Sequence, residues 1–518
     1  MKNQYKIITS FLLLTVLFSC SEDLLDKTPK DRLSPSTFFQ NETQCKMALM
    51  GIYNAIQPNA TPTHFYQFEF MSDNGYCQAA WQGSNEVGSW STNSTSWAPG
   101  AKWSMDYAII ARANEFLQDI DVASVSDEVK GQMVAEAKFL RAYAYSDLIT
   151  YFGDVPLITK VLALADAYVT RTAKGEVLTQ ILSDYTDAAS VLPVSYSGSN
   201  VGRVTKGAAL AYKAKILLYN QKWAEAAQAA KDVMDLKLYG FYPNYADLFT
   251  EAHENNIEVI FDIQYTTSQS QPWPAEPFVL GTWQTSNITA DMINSYYMTS
   301  GKPITDATSG YNEQDPYTNR DPRLAATVVL PGSQYGSSTF IPASYAEYPC
   351  GAKPRKYAEY GVADVNISTL NTTLMRYADI CLMRAEALIE SGSTAQEIYD
   401  LIDKVRARVG MPTVESVEGT GLSQTQLRQI MRHERRVEFC MEGTRYADML
   451  RWKDVSLVHD VYGYDKSKLS DPANPAKWTF SQIKIASRSF DAAKAWLWPV
   501  PQGDININKN LLPNNPGY

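Results

Sequence analysis

The amino-acid sequence predicts a mainly α-helical protein with an irregular, loop-rich half. Apolar residues recur at helical spacing in residues 135–151, and a short polar turn separates two Ala-rich helical stretches, 207–219 and 223–236. Two further segments, residues 65–103 and 266–373, are rich in Gly, Pro, Ser, Asn and aromatic residues and have little regular pattern. Their aromatic content argues against disorder, so they predict ordered loops.

The N-terminus predicts a cleaved leader followed by a lipid anchor. A short basic head precedes an apolar run at residues 7–18, which has the length of a signal-peptide core and is too short to span a bilayer. The run ends at Ser-Cys, which resembles the bacterial lipobox and predicts Cys20 as the lipidated first residue after a signal peptide at 1–19. Ordinary secretory cleavage with an incidental cysteine is the alternative. Residues 20–36 are expected to form a polar tether, and residues 37–518 a single domain.

The helical part is predicted as four helix pairs with spacings similar to tetratricopeptide repeats. Small residues such as Ala214 and Ala226 let antiparallel helices approach closely, and larger ones such as Leu217 and Trp223 fill the gaps between pairs. The predicted pairs are residues 36–57 with 103–119, 129–150 with 176–192, 207–219 with 223–236, and 376–390 with 394–408. The alternative is an irregular all-α domain. A β-strand is predicted at residues 257–265.

Charge and cysteine content exclude several partners. The 518-residue chain has a formal net charge of −10, and a surface of that sign repels phosphate backbones, so no nucleic-acid partner is expected. Apart from Cys20, the cysteines are odd in number and widely spaced, which predicts buried free thiols instead of a disulfide framework or a zinc site. No EF-hand-like pattern is present, and neither a metal nor another cofactor is expected.

Eight short segments of the chain carry a family resemblance. They are residues 24–29 (LLDKTP, after Cys20), 151–157 (YFGDVPL), 202–209 (GRVTKGAA), 319–324 (NRDPRL), 376–379 with 383–388 (RYAD and MRAEAL), 433–439 with 442–445 (HERRVEF and EGTR), 498–501 (WPVP) and 515–518 (NPGY). Together, and in this order, they resemble the SusD/RagB family of nutrient-binding outer-membrane lipoproteins of Bacteroidetes. The resemblance covers nearly the whole chain.

The resemblance implies a SusD-like fold and a role in nutrient uptake. A protein of this kind captures oligosaccharide or polysaccharide at the cell surface, without catalysis, and passes it to a SusC-like TonB-dependent transporter. It is expected in the outer membrane, anchored through lipid on Cys20 and facing the exterior. The acidic residues 21–23 are similar to the surface-export signal of Bacteroidetes lipoproteins.

The charged residues of these motifs are predicted to form internal ion pairs and not a binding site. Charges on packed helices must pair with one another, because isolated burial of a charge is costly. The residues concerned are Arg376, Asp379, Glu386, Glu434, Arg435, Arg436, Glu438 and Arg445.

The candidate glycan site lies in the two loop-rich segments. Flat Trp and Tyr rings cover the C–H faces of sugars, and Asp, Asn and Gln side chains provide directional hydrogen bonds to hydroxyls. The candidates are Asp73, Asn74, Trp81, Trp90 and Trp97 in the first segment, and Trp273, Trp283, Tyr296 and Tyr311 in the second. The competing explanation for each ring is loop packing. Trp103, with Tyr107 and Ile110 at helical spacing, is predicted to be core.

Two other function classes remain open. A glycoside hydrolase needs only two suitably placed carboxylates, which sequence cannot exclude; it predicts two carboxylates facing each other in a cleft. A repeat protein that binds other proteins predicts that the Trp-rich loops are not exposed together. The HExxH zinc motif is absent at His433, and no nucleophile elbow or P-loop occurs. The identity of the glycan is not encoded in any recognisable motif.

Overall fold

The computed structural model describes residues 38–58, 61–266, 285–344, 346, 348–358, 368–471, 475–494 and 496–518. Helices dominate these residues, as predicted. They are α1 (Glu42–Ala55), α2 (Gln67–Phe70), α3 (Ser84–Gly88), α4 (Trp97–Asp119), α5 (Asp127–Tyr151), α6 (Lys174–Val191), α7 (Lys206–Tyr219), α8 (Trp223–Asp235), α9 (Ala290–Ser295), α10 (Pro322–Thr327), α11 (Tyr377–Glu390), α12 (Gln396–Arg408), α13 (Val414–Glu418), α14 (Gln424–Phe439), α15 (Arg445–Trp452) and α16 (Gln502–Ile507). The predicted signal peptide, Cys20 and the tether lie outside the described residues.

Local sequence explains where the long helices begin. Helix α5 starts after Ser126, whose hydroxyl accepts a hydrogen bond from the Val129 backbone N–H at 3.3 Å, a common N-cap arrangement. Helix α14 starts with a capping box, in which Ser423 and Gln426 each bond to the other's backbone N–H. These caps satisfy backbone donors that the first helical turn leaves without a partner.

The long helices pack in sequence order around a common core. Helix α5 contacts α4 and α6, α7 contacts α6 and α8, and α11 contacts α8 and α12. The Phe139 ring of α5 lies at the centre, with its edge against Tyr212 of α7 and Phe261. The predicted helices are therefore present. Helix α4 begins at Trp97, six residues before the predicted start, which places Trp97 in a first helical turn. The tetratricopeptide-like geometry of the pairs stays a prediction.

The described strands are short and form small antiparallel pairs. They are β1 (Gly75–Cys77), β2 (Val259–Ile263), β3 (Ser286–Ile288), β4 (Val328–Val329), β5 (Gln334–Tyr335), β6 (Ser338–Thr339), β7 (Lys353–Pro354), β8 (Thr372–Arg376), β9 (Val461–Tyr464) and β10 (Gln482–Ala486). Strand β2 lies within the predicted residues 257–265 and pairs with β8. Strand β1 pairs with β3, and this pair joins the two loop-rich segments.

Two further expectations can be compared with the structure. The cysteines at positions 45, 77, 350, 381 and 440 are buried and free, which confirms the prediction. Across the described part of the chain, no helix is both long and apolar enough to cross a lipid bilayer.

Candidate functional site: an exposed tryptophan platform

Trp81 and Trp97 form an exposed aromatic surface, called the platform below. Trp81 lies in a single helical turn at residues 80–82 and Trp97 is the first residue of α4. Their side chains are large and apolar, yet 49% of Trp81 and 46% of Trp97 is exposed. Gly83 connects them: a methyl group on its Cα would lie 3.4 Å from Cε3 of Trp97 and 3.3 Å from Cβ of Pro62. The turn that carries Trp81 therefore packs beside the Trp97 ring.

A buried hydrogen-bond network fixes the turn that carries Trp81. Nε2 of Gln67 donates to Oε1 of Gln82 at 2.9 Å, and the Ser84 hydroxyl donates to Oε1 of Gln67 at 2.8 Å. Gln82 in turn donates through Nε2 to the Thr285 hydroxyl. All these side chains but Thr285 are fully buried. Because such networks are costly to leave partly unsatisfied, they hold the adjacent exposed ring in one position.

The loop between the two tryptophans is also held in place by hydrogen bonds. Glu86 accepts hydrogen bonds from the Ser96 hydroxyl at 2.7 Å and from Nδ2 of Asn93 at 3.2 Å. Asn93 and Thr95 are exposed on this loop, and Thr95 donates to Oδ1 of Asn93 from both its backbone and its hydroxyl. Exposed amide and hydroxyl groups thus lie within four residues of Trp97 in the sequence, and such groups can exchange hydrogen bonds with sugar hydroxyls.

The second loop-rich segment reaches the platform from its other side. Strand β3 pairs with β1 so that Asn287 lies opposite Tyr76, and Thr285 is bonded to Gln82. Trp273 and Trp283, the candidates before Thr285, lie outside the described residues. Tyr76, which belongs to the same loop-rich segment as Trp81 and Trp97, is half-buried on β1.

The structure contradicts the prediction that Asp73 and Asn74 contact glycan. Both side chains are buried. Asp73 accepts two hydrogen bonds from Arg445, each 2.8 Å long, and lies 3.1 Å from Arg436. Burial alone would raise the pKa of Asp73, but the two guanidinium groups hold it well below its usual range. Asn74 donates to Glu69 and accepts from Arg436. Neither side chain has a hydrogen-bonding group left facing solvent, which contradicts a direct glycan contact.

The structure also contradicts the predicted glycan contacts of Trp90 and Tyr296. Trp90 has its ring edge-to-face with Phe490 and Trp496, both at 5.1 Å between ring centroids, so it packs the C-terminal segment against the body. Tyr296 is fully buried, and its hydroxyl donates to the Val437 carbonyl at 3.3 Å. Loop packing is therefore the explanation for these two rings. Tyr311 is half-buried beside the Arg320 guanidinium, 5.7 Å from it, and its role in binding stays a prediction.

A separate cavity with a mainly apolar lining lies beside α4. It has a volume of about 110 Å³ and is lined by residues of α4, α5, α7 and β8. Inside it, Lys102 binds Asp106 at 2.7 Å and Asp147 at 2.6 Å. Burial raises the pKa of Asp106, and its second carboxylate oxygen has no hydrogen-bond partner in the described structure. This is a carboxylate pair of the kind that the hydrolase alternative requires, but a lysine ammonium group lies between the two acids.

One group of side chains has a spacing suited to a metal ion. Asp73, Asp291 and His459 each place a ligand atom within 4.8 Å of the others. Nη2 of Arg436, however, lies 3.1 Å from Asp73 and 2.6 Å from Asp291. The guanidinium group supplies the positive charge at this position, so the group is an ion-pair cluster.

Comparison with known protein families identifies the chain. Residues 253–518, slightly more than half of it, match the model of the SusD family. The chain belongs to the SusD family. Residues 23–218 match a second SusD-type model, described as "Starch-binding associating with outer membrane". The family of carbohydrate-binding proteins that the sequence motifs resemble is thereby confirmed.

Relatives and solved structures agree with the SusD assignment. A SusD-like protein of Formosa agariphila, P2, is 26% identical over 540 residues, which cover 99% of this chain and 100% of that protein. A SusD-like carbohydrate-binding protein from Bacteroides fragilis is 29% identical, with a TM-score of 0.81 over 92% of this chain and 100% of its own. A laminarin-binding SusD-like protein, 24% identical, shares the fold with a TM-score of 0.67 over 92% of this chain and 100% of its own. The predicted SusD-like fold is confirmed.

The charged SusD-type motifs form buried ion pairs, as predicted. Arg376 binds Glu438 at 2.6 Å, and the pKa of Glu438, although burial raises it, is held well below its usual range by Arg408, Arg376 and Arg323. The other residues of the predicted set also form ion pairs: Arg435 with Asp379 and Asp448, Glu386 with Arg451, Glu434 with Arg406, Arg436 with Asp291, and Arg445 with Asp73. These motifs stabilise the helical body of the SusD fold, whereas the platform is formed by residues of the loop-rich segment.

Sequence reasoning missed the small residues that build the platform. Gly83 has a backbone φ of +78°, a conformation that favours glycine, and it lies close to both Pro62 and Trp97. A glycine two residues after an exposed tryptophan is a visible turn signal, but its contact with Trp97 depends on the tertiary packing of α4.

Proposed function

We propose that this SusD-family protein captures glycan on the Trp81–Trp97 platform at the cell surface. The observation that carries the proposal is the joint exposure of two tryptophan rings on a turn and a helix end that are held by buried hydrogen bonds. Burying large aromatic rings is favourable. Two rings that a rigid framework holds half exposed to solvent therefore indicate a surface that binds the apolar face of a ligand. A sugar ring offers such a face together with hydroxyls for Asn93 and Thr95.

The same exposure counts against the repeat-protein alternative. That alternative predicts tryptophan-rich loops that are not exposed together, whereas Trp81 and Trp97 lie beside each other at one surface. The carbohydrate-binding function named for the Bacteroides fragilis relative and the starch-binding description of the matched family model support a carbohydrate ligand.

The proposal includes delivery of the captured glycan to a SusC-like TonB-dependent transporter, with the protein attached to the outer membrane through lipid on Cys20 and facing the exterior. Support comes from a second exposed surface, the ribbon tip at residues 160–168. Leu164 is 90% exposed there and Tyr168 60% exposed, and Ile507, whose neighbour Asn508 bonds to this segment, is 75% exposed. Side-chain amides of Asn508 and Asn510 bind the carbonyls of Val169 and Tyr168 at 2.7 Å, so these apolar groups are held outward on a hydrogen-bonded frame.

The position of the ribbon tip favours the transporter as its partner. Asn114, near the end of α4, donates to the Ile158 carbonyl at the base of the ribbon. Phe39, at the start of the described chain, packs on Phe116 of the same helix end. Phe39 and the base of the ribbon therefore both contact the C-terminal part of α4. Leu164→Ser with Tyr168→Ser should reduce co-purification with the transporter while glycan binding persists; unchanged co-purification would contradict this surface.

The binding function is tested with the soluble chain that begins after Cys20. Isothermal titration against plant, microbial and host glycans, including laminarin and starch, should show saturable binding to at least one of them. The same samples are assayed for new reducing ends. Binding without new ends supports capture, and release of new ends would favour the hydrolase.

The hydrolase is the second candidate because Asp106 and Asp147 are two carboxylates that share the Lys102 ammonium group beside the cavity. Glycoside hydrolases combine a carboxylic acid of raised pKa with a second carboxylate, and burial raises the pKa of Asp106. Asp106 is fully buried and both acids bind Lys102, which argues for a structural role. If new reducing ends appear, Asp147→Asn should abolish them; their persistence would exclude this pair as the catalyst.

A further inference from the structure

We infer that the Trp81–Trp97 platform selects uncharged glycans and discriminates against glycans that carry carboxylate or sulfate groups. This inference rests on the proposed function and names the ligand class of the same site. It is carried by the local distribution of charge and not by the net charge of the chain.

The elements that build the platform carry a single charged side chain. From residue 74 to residue 101, Glu86 is the only Asp, Glu, Lys or Arg in the sequence. Among the other described elements that meet it, residues 285–290 (TSNITA) and Thr63 with its neighbour Pro62 are uncharged, and α16, whose Gln502 bonds to Ser94, carries one further acid, Asp504. The charges present are negative and repel an anionic ligand.

Cations that contact these elements are committed to partners inside the protein. Lys102, on the helix that begins with Trp97, is buried between Asp106 and Asp147. Arg488 donates to the carbonyls of Ser72 and Gly75 at 2.6 and 2.7 Å. Their charges are thus held on the inner side of the platform by groups that an incoming anion would have to displace.

The charge of Lys494 is also engaged by partners inside the protein. Its Nζ donates to the Thr92 carbonyl at 2.6 Å and lies 5.1 Å from the centre of the Tyr518 ring. Within the described residues, these cations therefore have partners inside the protein, as does Arg436, which donates to Oδ1 of Asn74 and binds Asp73 and Asp291. The exposed polar side chains between the tryptophans, Asn93 and Thr95, are uncharged; they bond to each other and to Glu86, and their remaining hydrogen-bonding capacity suits neutral hydroxyls.

A uronate or sulfate placed on this surface would lose water without gaining a counter-charge. It would also lie near Glu86, and like charges roughly 8 Å apart in a partly solvated setting repel enough to weaken binding by about threefold to tenfold or more for each ligand charge. Salt screens such repulsion over distances of about 10 Å. The discrimination should accordingly be largest at low ionic strength.

Paired glycans test the inference. The soluble protein is titrated with neutral glycans, among them laminarin, starch and xyloglucan, and with the same polymers after oxidation of part of their primary hydroxyls to carboxylates. The neutral form that binds should have a dissociation constant that hardly changes between 20 and 300 mM NaCl (roughly 16 Å of change in Debye length). Its oxidised form should bind about tenfold more weakly at low salt, with a smaller difference at high salt.

A charge-adding variant and a matched control sharpen the test. Thr95→Lys places a cation two residues from Trp97 and should tighten binding of the oxidised form at least threefold. Gln228→Lys adds the same charge to the exposed face of α8, far along the chain from the platform, and should have no comparable effect. Equal binding of neutral and oxidised forms, or equal effects of the two lysines, would overturn the inference. Failure of the wild-type protein to bind any neutral or oxidised glycan would instead contradict the proposed function itself.

Discussion

Gly83 lies directly against the indole ring of Trp97, so close that a methyl group on its Cα would contact Cε3 at 3.4 Å. Since Trp81 precedes Gly83 by two residues, this contact determines how the two exposed rings of the platform lie relative to each other. The platform thus depends on one backbone turn as much as on its aromatic side chains.

Replacing either exposed tryptophan with alanine should remove binding and leave the fold intact. Large aromatic contacts at the centre of a binding surface commonly contribute about 2 kcal/mol or more, so Trp81→Ala or Trp97→Ala should weaken glycan binding by about thirtyfold or more. Because both rings are half exposed, the free energy of unfolding should change by less than about 1 kcal/mol. Titration calorimetry and chemical denaturation measure the two effects. Trp90→Ala, the packed control, should reverse the pattern and destabilise the fold.

Gly83→Ala should disturb the platform without touching either ring. At a φ of +78° an L-residue is strained by about 1–2 kcal/mol, and its methyl group would press on Pro62 and Trp97. The variant should lose roughly that much stability and bind glycan several-fold more weakly. Gly100→Ala, where no neighbouring atom lies within 4 Å of the added methyl group, is the matched control and should bind as the wild type does. Unchanged binding in Gly83→Ala would show that the turn does not position the rings.

Asp73→Asn should act on stability and not on ligand binding. The substitution leaves Arg445 without its buried carboxylate and Arg436 with Asp291 alone, and breaking one side of a buried ion pair costs about 3–5 kcal/mol. Chemical denaturation should show this loss. At temperatures where the variant remains folded, its dissociation constant for glycan should match that of the wild type. If the variant were stable but bound glycan more weakly, Asp73 would have to be part of the binding site.

His433 should make the protein less stable in mild acid. Burial lowers the pKa of its imidazole from 6.5 to about 4, while the ring stacks on Tyr297 at 3.8 Å between centroids and Nε2–H donates to the Ser295 carbonyl. The unfolded chain gains a proton near pH 6.5 and the folded protein does not, so stability falls from about pH 6.5 down to pH 4. The contribution is at most about 3 kcal/mol.

The variant His433→Phe isolates that contribution. It retains a ring against Tyr297 but cannot titrate, so it should be less stable at pH 7 because the hydrogen bond to Ser295 is lost. Its free energy of unfolding should then depend less steeply on pH between 6.5 and 4. A slope equal to that of the wild type would show that His433 does not titrate in this range.

The sequence predicted the helical framework well because its signals are local. Apolar spacing and helix stops place α5, α7, α8 and α11 close to their observed bounds. The charged motifs likewise predicted internal ion pairing, which is observed for example between Arg376 and Glu438. The start of α4 was missed because no apolar pattern precedes Trp103. The helix instead follows Ser96, whose hydroxyl bonds to Glu86 of α3, ten positions earlier in the chain.

The candidate site was only partly predictable, since exposure is a tertiary property. Trp81, Trp90 and Trp97 have similar sequence surroundings, yet Trp90 is packed by Phe490 and Trp496 from the far end of the chain. Asp73 is a residue type that commonly binds sugar hydroxyls, but it is paired with Arg436 and Arg445, which lie more than 360 positions away in the sequence. Nothing near Asp73 in the sequence signals those partners.

The most direct test of glycan capture is a crystal structure of the mature protein with the glycan that binds most tightly in the titration panel. Sugar rings should stack on Trp81 and Trp97, with hydroxyls within hydrogen-bonding distance of Asn93 or Thr95. Glycan bound elsewhere, with both indole rings facing only solvent, would contradict the platform as the binding site.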